Sequence, residues 1–364
     1  MGNKKQLTPR LNRLEPNIII DGGFEVWPEG TSIAVSNAAK YGSVLMKLSN
    51  LNSGATVTES QQASVPVSSN APFSSQSAKT AAGTLAANTA IVKSYFVEGY
   101  DTLKMFQSEW TLVFWVKSSV ASSRTVGLYA NSTHSYLKQY SISAANTWEL
   151  KAIKFPALST SPASINRTNG LGLQVNWNIV SGSTYQSSTQ GSWLSGQFFQ
   201  VTGEDTTWLT GTNHDFSLSG VMILSGDWSS LATNTSQYTF LRTGRNFQEE
   251  LIKTRRYYEK SYSLSTVPGV AGGSNDFDGA TRGYSAGTGI FWSWIQFKEA
   301  KRATPTMTYY NPNTGSTSTP LATDGSGNVS IVNVATSDSG NSVERTGLTA
   351  NTACRFHWSA DARF

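Results

Sequence analysis

The sequence predicts an all-β protein: a jelly-roll β-sandwich, then one short helix, then a second, smaller β-domain. Three observations carry this. Charged residues make up only 14% of the 364-residue chain, against 38% hydrophobic and 11% aromatic; ordinary soluble domains carry about 25% charged residues. The deficit is filled by Ser, Thr, Asn and Gly, which suit turns and strand edges better than helix interiors. Apolar residues recur with period 2, the signature of a strand with one face on a core. Only one segment has a helical period.

Residues 1–16 form a polar arm with Pro9, Pro16 and the basic residues Lys4, Lys5, Arg10 and Arg13. The arm reads either as a loose terminus or as an anchor that docks on a larger assembly. The jelly roll is expected over residues 17–235. Short strands are expected at 17–20 and 24–27, separated by an Asp21-Gly22-Gly23 turn. Trp110, Leu112, Phe114 and Val116 then share one face of a strand, and Leu171, Leu173, Val175, Trp177 and Ile179 share another. Val126 with Leu128, Trp148 with Leu150, and Phe216 with Leu218 mark further strands. Many short strands without helical connections suggest a jelly roll.

A linker and helix are expected over 236–262, the helix itself from 246 to 262. Asn246 is a good N-cap and Glu249 completes a capping box. Phe247, Leu251, Tyr258 and Tyr262 form a stripe. Arg255, Arg256 and Lys260 complement the C-terminal end of the dipole and read as a solvated helix end. The second β-domain is expected over 263–364, with strands at 290–297, 306–310, 328–334 and 353–358. The strand at 290–297 puts Trp292 and Trp294 on one face and Phe291, Ile295 and Phe297 on the other, and so is expected to be covered on both faces.

The net charge of +5 is concentrated in the arm and in Arg242, Arg245, Lys253, Arg255, Arg256 and Lys260. It lacks the dense basic face or motif that nucleic-acid binding needs. Cys354 is the only cysteine, so no intrachain disulfide forms, and a buried structural thiol is expected. No apolar run of about 18 residues suggests a membrane span, and the start does not read as a secretory signal. No phosphate loop, H-E-x-x-H, G-x-S-x-G or C-x-x-C occurs, and His134, His214 and His357 lie far apart. Glu204, Asp205, Asp215, Asp276 and Asp278 could supply the carboxylate pair a glycosidase needs, but turn and cap duties explain them as well. No enzymatic activity and no cofactor are expected.

The stretch Asn17-Ile18-Ile19-Ile20-Asp21-Gly22-Gly23-Phe24-Glu25-Val26-Trp27 resembles the first strands of jelly-roll modules in phage virion proteins, which are related to carbohydrate-binding modules. Phe216-Ser217-Leu218-Ser219-Gly220-Val221-Met222-Ile223 resembles their closing strand. Glu249 to Tyr262, with its Arg-Arg-Tyr-Tyr-Glu-Lys-Ser core, resembles a helix that follows the jelly roll in tail-fibre and head-fibre proteins; Thr254 stands where a cysteine is common. Lys301-Arg302-Ala303-Thr304-Pro305-Thr306 and Phe356-His357-Trp358-Ser359-Ala360-Asp361-Ala362 resemble later motifs of the same proteins. The resemblance spans residues 17–364. It implies a surface fibre or spike of a tailed-phage or gene-transfer-agent-like particle, without choosing head from tail. It also implies a homotrimer, contacts with other virion proteins, and a place on the virion surface after assembly in the host cytoplasm.

Two functions fit. In the first, the protein contributes to host attachment by binding a cell-surface polysaccharide, with Trp177, Tyr185, Trp193 and Trp208 as candidate platforms for sugar rings. Trp177 is the weakest of these because its pattern places it inward. In the second, the protein is a structural adaptor or decoration protein with no ligand of its own. A polysaccharide-degrading tailspike is a third, lesser reading. Related jelly rolls hold a structural calcium through a first-strand glutamate and a closing-strand aspartate. Glu25 matches the former, but Ser219 stands at the latter, so no metal is expected and Glu25 is only a weak candidate.

Overall fold

The computed structural model describes residues 17–244, 246–271, 279–324 and 327–364. The chain divides into two compact units. One comprises Thr31–Glu250 with the segment before residue 26; the other comprises Val26–Gly30 with Leu251–Phe364.

The first unit is a jelly-roll sandwich. One sheet runs, in spatial order, Ser32–Ser36, Thr56–Gln62, Ser74–Lys79, His214–Ser225, Trp110–Ser118 and Glu149–Phe155. The other runs Trp193–Ser195, His134–Ile142, Ser122–Ala130, Leu171–Ser181, Ala90–Glu98, Met46–Leu51 and Ala38–Tyr41. Neighbouring strands are antiparallel throughout both sheets. From Ser74–Lys79 onward the chain repeatedly crosses from one sheet to the other, the wrapping that defines a jelly roll.

The alternation anticipated for 110–117 sets the core. Trp110, Leu112, Phe114 and Val116 are fully buried between the sheets, and Phe114 meets Trp177 of the opposite sheet edge-on at 5.7 Å. The reverse face is covered too: Val113 and Trp115 pack with Met222, Leu224, Tyr238 and Phe240. The interior also holds an ion pair. Lys93 Nζ lies 2.9 Å from Glu59 and donates to the Ser75 carbonyl and hydroxyl, while Ser77 donates to the other Glu59 oxygen at 2.6 Å. Two charges removed from water are tolerated only because their hydrogen bonds are so completed. Desolvation pulls the Lys93 pKa down, and Glu59 opposes it.

The opening segment departs from expectation. Residues 17–20 and, apart from the half-buried Glu25, residues 24–27 are buried but are not strands. The Asn17 side chain takes over the backbone pairing: Oδ1 accepts from Ile19 and Ile223 N–H, and Nδ2 donates to the Leu241 carbonyl. At Gly22 a Cβ would sit 2.1 Å from the Val221 carbonyl oxygen, so only glycine fits there.

The helix is also shorter than its stripe suggests, spanning Phe247–Arg255. Asn246 does cap it, accepting from Glu249 N–H. Tyr258–Lys260 is a strand instead, paired with Ser359–Asp361. Lys260 is therefore not on a solvated helix end. It is buried and donates to the carbonyls of Pro28, Leu264 and Thr266. Tertiary pairing has overridden a weak helical propensity.

In the second unit the long strand Ala353–Asp361 is the spine. Tyr258–Lys260, Thr281–Tyr284, Thr306–Tyr310 and Ala322–Thr323 all pair with it. A separate three-stranded sheet is ordered Phe291–Gln296, Gly340–Arg345, Val332–Thr336. Phe291, Ile295, Phe297, Val343, Cys354, Phe356 and Trp358 form this unit's core.

Candidate functional site

Of the four aromatic residues singled out for sugar stacking, the structure withdraws two. Trp177 and Trp208 are fully buried. Trp177 points between the sheets. Trp208 donates its indole N–H to the Asp215 carbonyl at 3.0 Å and lies under Lys79. Both rings fill volume and present nothing to solvent. Tyr185 and Trp193 are half-buried and sit on different partners: Tyr185 on Phe199 at 5.3 Å, Trp193 edge-on to Tyr136 at 5.4 Å. Each ring is thus already engaged along part of its surface.

Glu25, the weak metal candidate, is held by Arg242 through two hydrogen bonds of 2.6 and 2.9 Å. Ser219 donates to the Phe73 carbonyl. Among the described residues no cluster of His, Cys, Asp and Glu could hold a metal ion. Glu204 is buried, accepting from Thr125 and Gln139, and burial pushes its carboxyl pKa up. Asp205 caps Thr207, and Asp215 accepts from Gln76. His134 meets Thr133, His214 the Trp208 carbonyl, and His357 stacks on Tyr262 at 3.8 Å. Lys4, Lys5, Arg10, Arg13, Asp276 and Asp278 lie outside the described residues.

The exposed aromatic surface lies elsewhere, in the three-stranded sheet of the second unit. Phe291–Gln296 alternates as anticipated, but the described residues cover only one of its faces. Phe291 and Ile295 are buried, whereas Trp292 is 66% exposed and Trp294 59% exposed. Side chains two residues apart on a strand lie on one face, about 7 Å apart. The two indoles therefore form a ridge. Trp292 is opposite Glu344, which is opposite Val332; Trp294 is opposite Ser342, which is opposite Ala335. Trp, Glu, Val and Trp, Ser, Ala thus make two rows across the outward face.

The ridge is supported from beneath and beside. Phe291, Ile295 and Val343 anchor the covered face in the core. Asn341 accepts from the Tyr309 hydroxyl and donates to Asn333 Oδ1 and the Ala335 carbonyl, fixing the bulge between Asn333 and Ala335. Gly340 gives Trp294 its seat: a Cβ there would lie 2.4 Å from the indole ring. Sequence reading found the two tryptophans on one face of the strand. It could not find Gly340 or Glu344, because only strand register brings them to the ridge.

Chemically the face offers flat π surfaces with a carboxylate and a hydroxyl beside them. The negative face of an indole attracts the polarised C–H bonds of a sugar ring. Carboxylate and hydroxyl oxygens accept hydrogen bonds from sugar hydroxyls.

No family model matches the chain, and no curated protein matches it. Among solved structures, it is similar to the enzymatically active domain of tailspike protein 4 from bacteriophage CBA120, at 10% identity and a TM-score of 0.31, covering 58% of this chain and 21% of that one. It is also similar to TmCBM61 in complex with β-1,4-galactotriose, at 8% identity and a TM-score of 0.28, covering 58% and 100%. A family 11 carbohydrate-binding module from Clostridium thermocellum, in complex with a β-1,3-1,4-mixed-linked tetrasaccharide, is similar at 12% identity and a TM-score of 0.28, covering 54% and 96%. Likenesses this distant add nothing to what the two sheets themselves show about the fold.

Proposed function

We propose that this chain is a non-enzymatic surface protein of a tailed-phage-type particle that helps the particle attach to its host by holding a cell-surface glycan. The observation that carries the binding half is the Trp292–Trp294 ridge, two large rings left open to solvent on a rigid sheet. Exposed tryptophan pairs on a supported face are unusual in a soluble protein and point to a binding surface. The particle-surface half is supported by the sequence motifs at 17–27, 216–223, 249–262 and 301–306. The absence of enzymatic activity is supported by the local structural duties of Glu204, Asp205 and Asp215.

The test is a glycan array probed with the intact chain and with the Trp292→Ala/Trp294→Ala variant. The reading expects the parent to bind some glycans and the variant to lose them. A parent that binds none, or a variant that binds equally, contradicts it. Release of reducing ends from a bound glycan would instead favour the tailspike-depolymerase reading.

A second reading rests on a specific observation. Val332 and Val334, on the strand at the free edge of the same sheet, are 55% and 49% exposed, and a second copy of the chain could cover them as an adaptor or trimer contact. Mass measurement at micromolar concentration tests it: a trimer disrupted by Val332→Lys/Val334→Lys supports the contact, and a monomer contradicts it.

A further inference from the structure

Resting on that reading of the ridge, we propose that the ridge selects uncharged, hydroxyl-rich glycans and discriminates against acidic ones, with Glu344 as the specificity-determining residue. Among the paired positions on the outward face of this sheet, Glu344 is the sole ionisable group: the others are Trp292, Trp294, Gln296, Gly340, Ser342, Val332 and Ala335. Directly opposed side chains on neighbouring antiparallel strands have Cβ atoms about 5 Å apart, so the Glu344 and Trp292 side chains leave the sheet side by side. It is half-buried. No ion pair or hydrogen bond joins its side chain to any described residue. The nearest candidate in sequence, Arg345, donates to Ser330 Oγ instead. Three buried or half-buried carboxylates elsewhere are engaged by cations: Glu25 by Arg242, Glu59 by Lys93, Glu259 by Lys301. Glu344 is thus an unengaged acceptor on the aromatic face.

An ionised carboxylate accepts hydrogen bonds and donates none. A sugar stacked on Trp292 would present its ring hydroxyls at the edge of the indole, where Glu344 can accept from them, strengthened by its charge. A uronate or sulfate in the same place would bring a like charge within a few ångströms, with no hydrogen to donate. Two like charges about 4 Å apart repel enough, even in water, to weaken binding by about fivefold per contact. Ser342, beside Trp294, can donate as well as accept and imposes no such choice. The two ends of the ridge therefore differ: Trp294 with Ser342 is permissive, and Trp292 with Glu344 sets the charge class.

The experiment uses the intact chain on an array of neutral and acidic glycans, including polygalacturonate and its methyl-esterified form, which share one sugar backbone and differ at the carboxyl group. Parent, Glu344→Gln, Glu344→Lys and Trp292→Ala/Trp294→Ala are compared at 50 mM and 500 mM salt. The proposal expects the parent to prefer neutral glycans. Glu344→Gln should raise binding of acidic glycans about fivefold, Glu344→Lys should raise it further, and high salt should shrink both differences. Equal binding of neutral and acidic glycans by the parent, or a selectivity unchanged in Glu344→Lys, overturns the charge-class proposal while leaving the ridge reading standing. Absence of binding, or binding unaffected by loss of both tryptophans, overturns the ridge reading and this proposal with it. Glu344 is on the surface, so an unchanged melting temperature in each variant confirms that the fold is not what has moved.

Discussion

The interior of the jelly roll and the three-stranded sheet of the second unit place tryptophan in opposite settings, although the second unit also buries Trp358 in its own core. In the jelly roll, Trp110, Trp177 and Trp208 are wholly buried. In the three-stranded sheet of the second unit, Trp292 and Trp294 stand mostly in solvent on a strand whose other face buries Phe291 and Ile295 in the core. The difference comes from what covers the outward side of each sheet. In the jelly roll, the segment bearing Leu231, Tyr238 and Phe240 lies over the reverse face of one sheet. Over the other, Gln200 reaches Asn178 and Val201 N–H donates to Thr125. Among the described residues, no comparable segment lies over the outward side of Phe291–Gln296, where Trp292 and Trp294 stay exposed. Residue type alone therefore does not mark a binding platform; the presence or absence of a covering segment does.

The largest expected effect divides the two groups. Trp177→Ala should destabilise the jelly roll by about 3–5 kcal/mol, since it removes a fully enclosed ring. Trp292→Ala should change stability by no more than about 0.5 kcal/mol, as for an ordinary surface site. Urea unfolding of the intact chain measures both. Comparable losses would erase the distinction.

The interior ion pair sharpens the same contrast. Lys93→Met alone leaves Glu59 buried without its counter-charge and should cost about 3–5 kcal/mol. Lys93→Met combined with Glu59→Leu should recover most of that loss, because replacing a buried pair by apolar groups is often close to neutral. A double variant no more stable than the single one would mean that the serines around Glu59, and not the charge pairing, hold this part of the core.

How much of this was legible in the sequence differs by element. The strand Trp110–Ser118 was plain, because Trp110, Leu112, Phe114 and Val116 recur with period 2 on one face. So was Leu171–Ser181, including the inward orientation of Trp177 between Asn176 and Asn178. The helix was legible at its start, where Asn246 caps it, but not at its end. Tyr258 and Tyr262 kept helical spacing by coincidence while pairing with the distant strand Ala353–Asp361 claimed Tyr258–Lys260. The opening segment misled because an apolar run between turns looks like a strand; its hydrogen bonds are shared between the Asn17 side chain, isolated backbone bonds of Ile18 and Gly22, and the Tyr95 hydroxyl. At the ridge, alternation identified two faces but could not say that one would stay uncovered. Glu344 lies some fifty residues away in sequence and meets Trp292 only through register.

A smaller effect tests the support of the ridge. Gly340→Ala places a methyl group where the Trp294 indole rests and should force the ring to another rotamer. The added Cβ would also lie 2.7 Å from the Ile295 carbonyl oxygen, so the strand must give as well as the ring, at a cost in stability of about 1–3 kcal/mol. Glycan affinity should nonetheless fall several-fold, because a stacking surface is lost without loss of the residue. Unaltered affinity would show that the Trp294 ring is not held where the ligand needs it.

The most direct test of the central claim places both groups of tryptophans in one experiment. The intact chain, labelled with 5-fluorotryptophan and assigned by single Trp→Phe variants, is titrated by fluorine NMR with a glycan selected on the array. The resonances of Trp292 and Trp294 should shift with a common saturation curve while those of Trp177 and Trp208 stay fixed. Shifts confined to Trp193 or to other jelly-roll positions, with Trp292 and Trp294 unmoved, would contradict it and return the binding site to the first unit.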